Sequence, residues 1–212
     1  YFDIKGKKTG LHSRAMTAPC GKMHIPINES ADDNSQIAEF LREYNGEGIQ
    51  HLAMSTDNIY ATVRALRANG VTFLSTPFST EAVDLLDEID VPAIKIGSGE
   101  MNNRHLLEHA ASTGKPLLVS TGMNTLDEIK ATCEFLDDVA SEYALFYCVS
   151  AYPTTAADFD FKTIETLEEM ADVPVGFSDH STGVEAAKVA IGNGAALIEK
   201  HFTIDRRLPG PD

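Results

Sequence analysis

The sequence predicts an α/β protein: a (β/α) barrel of the TIM type, incomplete or remodelled, behind a β-rich N-terminal segment. Three observations carry this reading. From residue 49 onward, short apolar runs alternate with amphipathic helical stretches. The runs begin at the spacing of one βα unit. They are also continuously apolar, as parallel strands buried on both faces are, rather than alternating.

The runs are Ile49–Met54, Val71–Leu74, Ala93–Ile96, Pro116–Val119, Ala144–Val149, Val173–Phe177 and Ala195–Ile198. Each is too short for a helix, carries β-branched or aromatic side chains, and is bounded by Gly, Pro or polar residues. Between them, Leu126, Ile129, Cys133 and Leu136 recur at helical spacing, and Asn58–Asn69 reads as a further helix. Thr125-x-x-Glu128 and Thr182-x-x-Glu185 read as capping boxes. Asn69-Gly70, Thr113-Gly114 and Asn193-Gly194 read as helix stops. Seven βα-type strands in a row argue for a doubly wound sheet or a (β/α)₈ barrel, and as a barrel they are one short of a closed eight-stranded one. Either a strand from residues 1–30 fills the gap or the barrel stays open.

Residues 1–48 break the rhythm and form the first predicted domain, with residues 49–212 as the second. Leu11–Met16 and Met23–Ile27 read as two strands around Pro19-Cys20-Gly21-Lys22, followed by a polar stretch and a helix near Gln36–Tyr44.

Composition narrows the function. Among 212 residues, 32 Asp and Glu outnumber 17 Lys and Arg, for a net charge of −15. Such a surface repels a phosphate backbone, so no nucleic-acid partner is expected. No run approaches a membrane span, so no membrane partner is expected either. Cys20, Cys133 and Cys148 form neither a C-x-x-C pair nor a zinc spacing, which fits free thiols in a reducing cytoplasm. The chain begins at Tyr1 rather than Met, so we expect a fragment or a processed product.

In parallel α/β folds, functional groups gather at the C-terminal ends of the strands. Here those ends read Ser75-Thr76-Pro77-Phe78-Ser79, Lys95-Ile96-Gly97-Ser98-Gly99-Glu100 and Ser120-Thr121-Gly122-Met123-Asn124. Three more follow: Cys148-Val149-Ser150-Ala151-Tyr152-Pro153, Ser178-Asp179-His180-Ser181 and Glu199-Lys200-His201-Phe202-Thr203. Hydroxyls, one Lys and loop amides converging on one rim suit a phosphate or carboxylate. Single Ser and Thr residues at strand ends also serve as caps and turns. His180 and His201 follow consecutive strands, and with Glu100, Glu199 and Asp212 available they could hold one divalent cation. Gly97-Ser98-Gly99 is not a dinucleotide fingerprint, because the third Gly is missing.

From about Thr72 to Asp212 these motifs, with Pro209-Gly210-Pro211-Asp212, closely resemble the N-acetylneuraminate (sialic acid) synthase family of phosphoenolpyruvate-condensing barrels. The resemblance implies a transferase of sialic acid and carbohydrate biosynthesis. It would join phosphoenolpyruvate to N-acetylmannosamine or a related amino sugar and release phosphate. It implies that Lys95, Ser98, Ser120, Thr121, Thr76 and Ser178 meet the phosphate and carboxylate. His180 and His201 would hold a divalent metal, Mn or Mg, and Glu100 would handle protons. Asp212, Tyr152, Phe78 and Glu199 would face the sugar, with Asp212 grouped beside Glu100 as catalytic. A homodimer is left open. The family's first two strands and its C-terminal lid domain find no match, so activity is left open too.

From Tyr1 to about Pro77 the chain resembles 4-hydroxyphenylpyruvate dioxygenase, a non-haem iron family. The matching stretches are Tyr1-Phe2-Asp3-Ile4-Lys5-Gly6-Lys7, Leu11-His12-Ser13, Pro26-Ile27-Asn28-Glu29, Ser35-Gln36-Ile37 and Gly48-Ile49-Gln50-His51. This resemblance implies that His51 is an Fe(II) ligand, with Ser13 and Asn28 near a keto acid. A facial triad needs two His and a carboxylate, and one ligand of the three is matched. Dioxygenase activity is therefore not expected. The two resemblances meet near Thr72–Pro77, which reads as a chimera. The alternatives to a synthase are thus a dioxygenase-like fragment or a non-catalytic scaffold.

Overall fold

The computed structural model describes residues 58–203 and, ahead of them, the backbone of three strands. Those strands are β1 (Phe2–Lys5), β2 (Gly10–Thr17) and β3 (His24–Ser30), an antiparallel sheet in the order β1-β2-β3. In the register, Phe2 lies opposite Ser13 and Arg14 opposite Ile27. The two strands expected around Pro19–Lys22 are β2 and β3, and β1 precedes them. The run Ile49–Met54, the helix near Gln36–Tyr44, and His51, Cys20 and Asp212 lie outside the described residues.

The chain divides into two compact units, and residues 58–150 and 154–201 form the second. It opens with helices α1 (Ile59–Ala68) and α2 (Thr80–Glu88). Strand and helix then alternate as β4 (Ile94–Ile96), α3 (Arg104–Ser112), β5 (Leu117–Ser120), α4 (Leu126–Val139) and β6 (Tyr143–Cys148). They continue as α5 (Lys162–Ala171), β7 (Val175–Asp179), α6 (Glu185–Gly192) and β8 (Leu197–Lys200). All four pairings are parallel, in the unbroken order β4-β5-β6-β7-β8. A doubly wound sheet reverses its strand order at a switch point. An order that never reverses is that of a barrel wall, and this unit is an incomplete (β/α) barrel.

Local chemistry sets the helix ends. The Thr125 hydroxyl accepts from the Glu128 amide at 3.3 Å, and the Glu128 carboxylate accepts from the Thr125 amide at 2.7 Å, which completes the expected box at the start of α4. Asn58, Ser79 and Asn103 cap α1, α2 and α3 in the simpler one-sided way. The three glycine stops adopt positive φ, from +71° to +96°, as helix-ending turns require.

Two expectations are corrected. Thr182-x-x-Glu185 is not a capping box: Gly183 turns at φ +78°, α6 begins only at Glu185, and Val184 sits at the cap position without a side-chain bond. Of the seven expected runs, five form the described parallel sheet and Ile49–Met54 lies outside the described residues, but the run Val71–Leu74 is not a strand. Its neighbour Ser75 accepts one bond from the Lys95 amide at 3.3 Å, but Val71 and Leu74 are exposed and no ladder forms. Apolar content alone does not make a strand: Phe73 packs against the core, yet the run forms no ladder.

The sheet has two chemically different faces, because side chains alternate along each strand. Ile94, Ile96, Leu117, Val119, Leu145, Tyr147, Val175 and Phe177 point one way and are buried in the main apolar core with Val83, Leu107, Leu136, Ile164 and Leu167 from the helices. Phe177, fully buried, has Tyr147, Phe159 and Phe161 within 5.4–5.7 Å between ring centroids. The other face carries Lys95, Ser120, Phe146, Cys148, Ser178 and Glu199; the register pairs Ser120 with Phe146, and Ser178 with both Cys148 and Glu199. Gly176 lies on this second face. A Cβ there would come within 2.7 Å of the Phe146 ring and 2.9 Å of the Leu197 carbonyl, so glycine allows β6, β7 and β8 to close up.

Candidate functional site

The polar face assembles a chain of contacts drawn from every strand of the sheet. Lys95 from β4 donates to the Ser120 hydroxyl of β5 at 2.8 Å. Its ammonium also sits 5.2 Å from the centre of the Phe146 ring of β6. Glu199 of β8 meets it with both oxygens, at 3.1 and 2.9 Å. The Ser178 hydroxyl of β7 donates to Glu199 at 2.7 Å and lies 3.2 Å from Nε2 of His180. Nδ1 of His180 faces the Val149 carbonyl at 2.8 Å. A carbonyl only accepts, so Nδ1 carries a proton and the ring turns its Nε2 edge toward the cluster. The His201 ring follows, its centroid 5.4 Å from that of His180.

Burial and charge tune this chain. Lys95 is 12% exposed, so its charge sits largely out of water and is held by Glu199 and the Ser120 hydroxyl. Burial pushes the Glu199 carboxyl up, but the Lys95 charge, the bonds from Lys95 and Ser178, and His180 together outweigh it and hold the group below its ordinary value.

A second group lies beside the first. The Ser98 hydroxyl and the Cys148 thiol are 3.3 Å apart. A Cβ on Gly122 would fall 2.7 Å from the Ser150 hydroxyl, 2.8 Å from Cys148 and 3.0 Å from Ser98. The bare glycine therefore lets three strand-end loops close on one point. Asn124 fixes two of these loops by donating to the carbonyls of Ser98, at 3.0 Å, and Gly122, at 2.7 Å.

The sequence-predicted residues divide accordingly. Lys95, Ser120, Ser178, Glu199, His180 and His201 come together in one chain, and Ser98 joins the group around Gly122. The methyl of Thr76 lies against the Gly97 backbone. Thr121 is buried, and its hydroxyl donates to the Phe146 carbonyl at 3.0 Å, so it ties β5 to β6. Glu100 accepts from Asn103 at 2.7 Å at the start of α3. Phe78 is 73% exposed. Tyr152 precedes a cis proline and belongs to the other compact unit, and Asp212 lies outside the described residues. Gly122, Cys148 and Ser150 were not singled out from sequence. The signal was the two-residue period that puts Cys148 and Ser150 in step with Phe146.

A cavity of about 650 Å³ opens at the opposite ends of the strands, lined by Leu117, Asp137, Tyr143, Pro174 and Leu197 among others. Catalytic groups of this architecture gather at the other rim, so we assign the site to the Lys95–His201 chain.

The donor set fits a divalent cation in part. Two imidazoles side by side, one with its far nitrogen anchored on a carbonyl, are the arrangement in which histidines bind metal. Among the described residues, no group of three or more His, Cys, Asp or Glu side chains gathers to complete a metal site.

Comparison with known proteins places this arrangement. The model of the NeuB family matches residues 23–212. The N,N'-diacetyllegionaminic acid synthase of Legionella pneumophila is 37% identical over 171 residues, which cover 78% of this chain and 48% of that protein. The crystal structure of an N-acetylneuraminic acid (sialic acid) synthetase from Leptospira borgpetersenii superposes with a TM-score of 0.67 at 32% identity, over 72% of this chain and 56% of that one. The 4-hydroxyphenylpyruvate dioxygenase of Pseudomonas aeruginosa is 78% identical over 77 residues, which cover 36% of this chain and 22% of that protein. The chain thus spans about half the length of the legionaminic acid synthase and less than a quarter of the dioxygenase.

Proposed function

The chain belongs to the NeuB family, and from that premise we propose that its strand-end cluster serves the condensation of phosphoenolpyruvate with an amino sugar such as N-acetylmannosamine, releasing phosphate. The observation that carries the proposal is the single chain of contacts from Lys95 through Ser120, Glu199 and Ser178 to His180.

In this reading Lys95 and Ser120 meet the phosphate, an anion that takes over the Lys95 charge now shared with Glu199. Ser98, Ser178 and Thr76 orient the remainder of the phosphoenolpyruvate so that its C3 faces the sugar aldehyde. His180 and His201 would hold a divalent ion, Mn or Mg, which when bound supplies Lewis-acid polarisation of the aldehyde oxygen. Glu100 removes a proton from the water that adds at C2, or returns one to the leaving oxygen. Glu199, released from Lys95, turns to the sugar, with Phe78 as a further contact. A reducing, cytoplasmic setting suits the free thiols of Cys133 and Cys148. Among the described residues, no helix is long and apolar enough to cross a membrane.

The test is phosphate release from phosphoenolpyruvate, N-acetylmannosamine and Mn²⁺. Release is expected from the wild-type chain and not from the His180→Ala/His201→Ala double variant. Equal rates in the two would remove the proposal.

A second reading rests on the 78% identity to the dioxygenase over 77 residues. It takes the chain as a composite of two families whose first part once served iron chemistry through His51. Oxygen uptake with Fe²⁺ and 4-hydroxyphenylpyruvate decides whether that chemistry persists, and none is expected.

A further inference from the structure

On the reverse face of the sheet, directly behind the histidine pair, lies an ion pair that the reading above does not use. Asp179 is the last residue of β7 and Lys200 the last of β8, and the register places them opposite one another. Asp179 is fully buried, and its Oδ2 lies 3.0 Å from the Lys200 ammonium. That oxygen accepts no hydrogen bond among the described residues, so the lysine charge is what compensates it. The other oxygen accepts from the Ser181 amide at 2.8 Å and hydroxyl at 2.6 Å. Lys200 closes the loop by donating to the Ser181 carbonyl at 2.6 Å.

Side chains alternate along a strand, so the residues flanking this bridge point to the site. Ser178 and Glu199 stand one residue before it and bond to each other at 2.7 Å. His180 and His201 stand one residue after it, 5.4 Å apart between ring centroids. At this point the backbone ladder ends: β7 stops at Asp179 and β8 at Lys200. The Ser178 hydroxyl and the Val149 carbonyl hold the His180 ring, but no ladder pair follows Asp179–Lys200 across the gap between β7 and β8. The bridge spans that gap, and through Ser181 it also grips the residue just past His180.

We propose that the Asp179–Lys200 bridge, with Ser181, is a positioning device that sets the spacing and orientation of His180 and His201. Its consequence for a bound cation rests on the function proposed above; its consequence for the two rings does not. An ion pair with one partner fully buried suits this role, because its directional bonds favour one register. Supporting groups of this kind behind metal-binding histidines typically change metal affinity by roughly 10- to 100-fold.

The experiment uses the full chain with Lys200→Met, which removes the charge, and Lys200→Arg, which keeps it. Two signals are read without substrate. One is the nuclear Overhauser cross-peak between the His180 and His201 ring protons in metal-free protein. The other is Mn²⁺ affinity by electron paramagnetic resonance titration. The cross-peak is expected in wild type and Lys200→Arg and lost in Lys200→Met, whose far-UV circular dichroism stays native. Mn²⁺ affinity should fall at least tenfold in Lys200→Met and stay within about threefold in Lys200→Arg. A folded Lys200→Met that keeps the cross-peak overturns the proposal. Should Lys200→Met not fold, Lys200→Gln keeps a donor for the Ser181 carbonyl and is read in the same way. Loss of the cross-peak only together with loss of the fold, in both variants, reduces the bridge to a general stabiliser and also overturns the proposal. Wild-type protein that shows the cross-peak but binds no Mn²⁺ sinks the metal reading alone, and the cross-peak in the variants still decides the positioning role.

Discussion

Both carboxylate oxygens of Glu199 lie against the Lys95 ammonium, at 3.1 and 2.9 Å, across the width of the sheet from β8 to β4. The pair closes the polar face into a loop of contacts. It also means that the cation best placed to receive a substrate anion already has an anionic partner. An incoming phosphate must share or displace that partner.

Glu199→Gln therefore tightens anion binding. Removing the negative charge leaves Lys95 and Ser120 in place and takes away the competitor. We expect phosphoenolpyruvate alone to bind the variant several-fold more tightly than wild type in calorimetry. Equal or weaker binding would show that Glu199 helps to hold the anion.

The same pair predicts a pH dependence. The Glu199 carboxyl is held below its ordinary value of 4.5, because the Lys95 charge and the bonds from Lys95 and Ser178 outweigh burial. A group lowered on folding contributes stability that is present above its unfolded value and lost as pH falls through its folded value. Melting temperatures of wild type and Glu199→Gln should differ most near neutral pH and converge as pH drops below 4.5. A gap that stays constant down to acid pH would mean that the pair contributes nothing to stability.

Gly122→Ala tests the second group. The added methyl would stand within 3.0 Å of the hydroxyls of Ser150 and Ser98 and the Cys148 sulfur. Overpacking of this kind costs about 1–3 kcal/mol. We expect a modest loss of melting temperature and a loss of phosphoenolpyruvate affinity of tenfold or more. A stable variant with unchanged affinity would place the ligand away from Ser98.

Much of this was legible in the sequence. The five strands from β4 to β8 fall within two residues of the apolar runs from Ala93–Ile96 to Ala195–Ile198, because strands covered by helices on one face and by neighbouring strands along their edges are rich in apolar side chains. The Thr125 box was legible because its two partners are three residues apart and need nothing else. Thr182 misled for the opposite reason: Gly183 turns the chain away before the helix starts, and the residue pattern does not contain that turn. Val71–Leu74 misled because an apolar run becomes a strand only where a neighbour pairs with it.

For the site, the strand-end motifs named the residues but not their partners. Glu199 was assigned to a sugar, and the structure pairs it with Lys95, residues 104 positions away in sequence. Such a pairing depends on the five-strand register, which no local pattern encodes. Asp179 and Lys200 sat unnoticed inside the same motifs, since the two-residue period separates them from the residues that face the ligand.

The central claim is that Lys95 anchors a bound anion where the tips of β4, β5, β7 and β8 meet. Calorimetric titration of phosphoenolpyruvate with Mn²⁺ into wild type and Lys95→Met measures this directly. The account predicts saturable one-to-one binding by wild type and a loss of roughly tenfold or more in the variant, the value of a charge-assisted hydrogen bond. Equal affinity in the two proteins, or no binding by wild type, would contradict it.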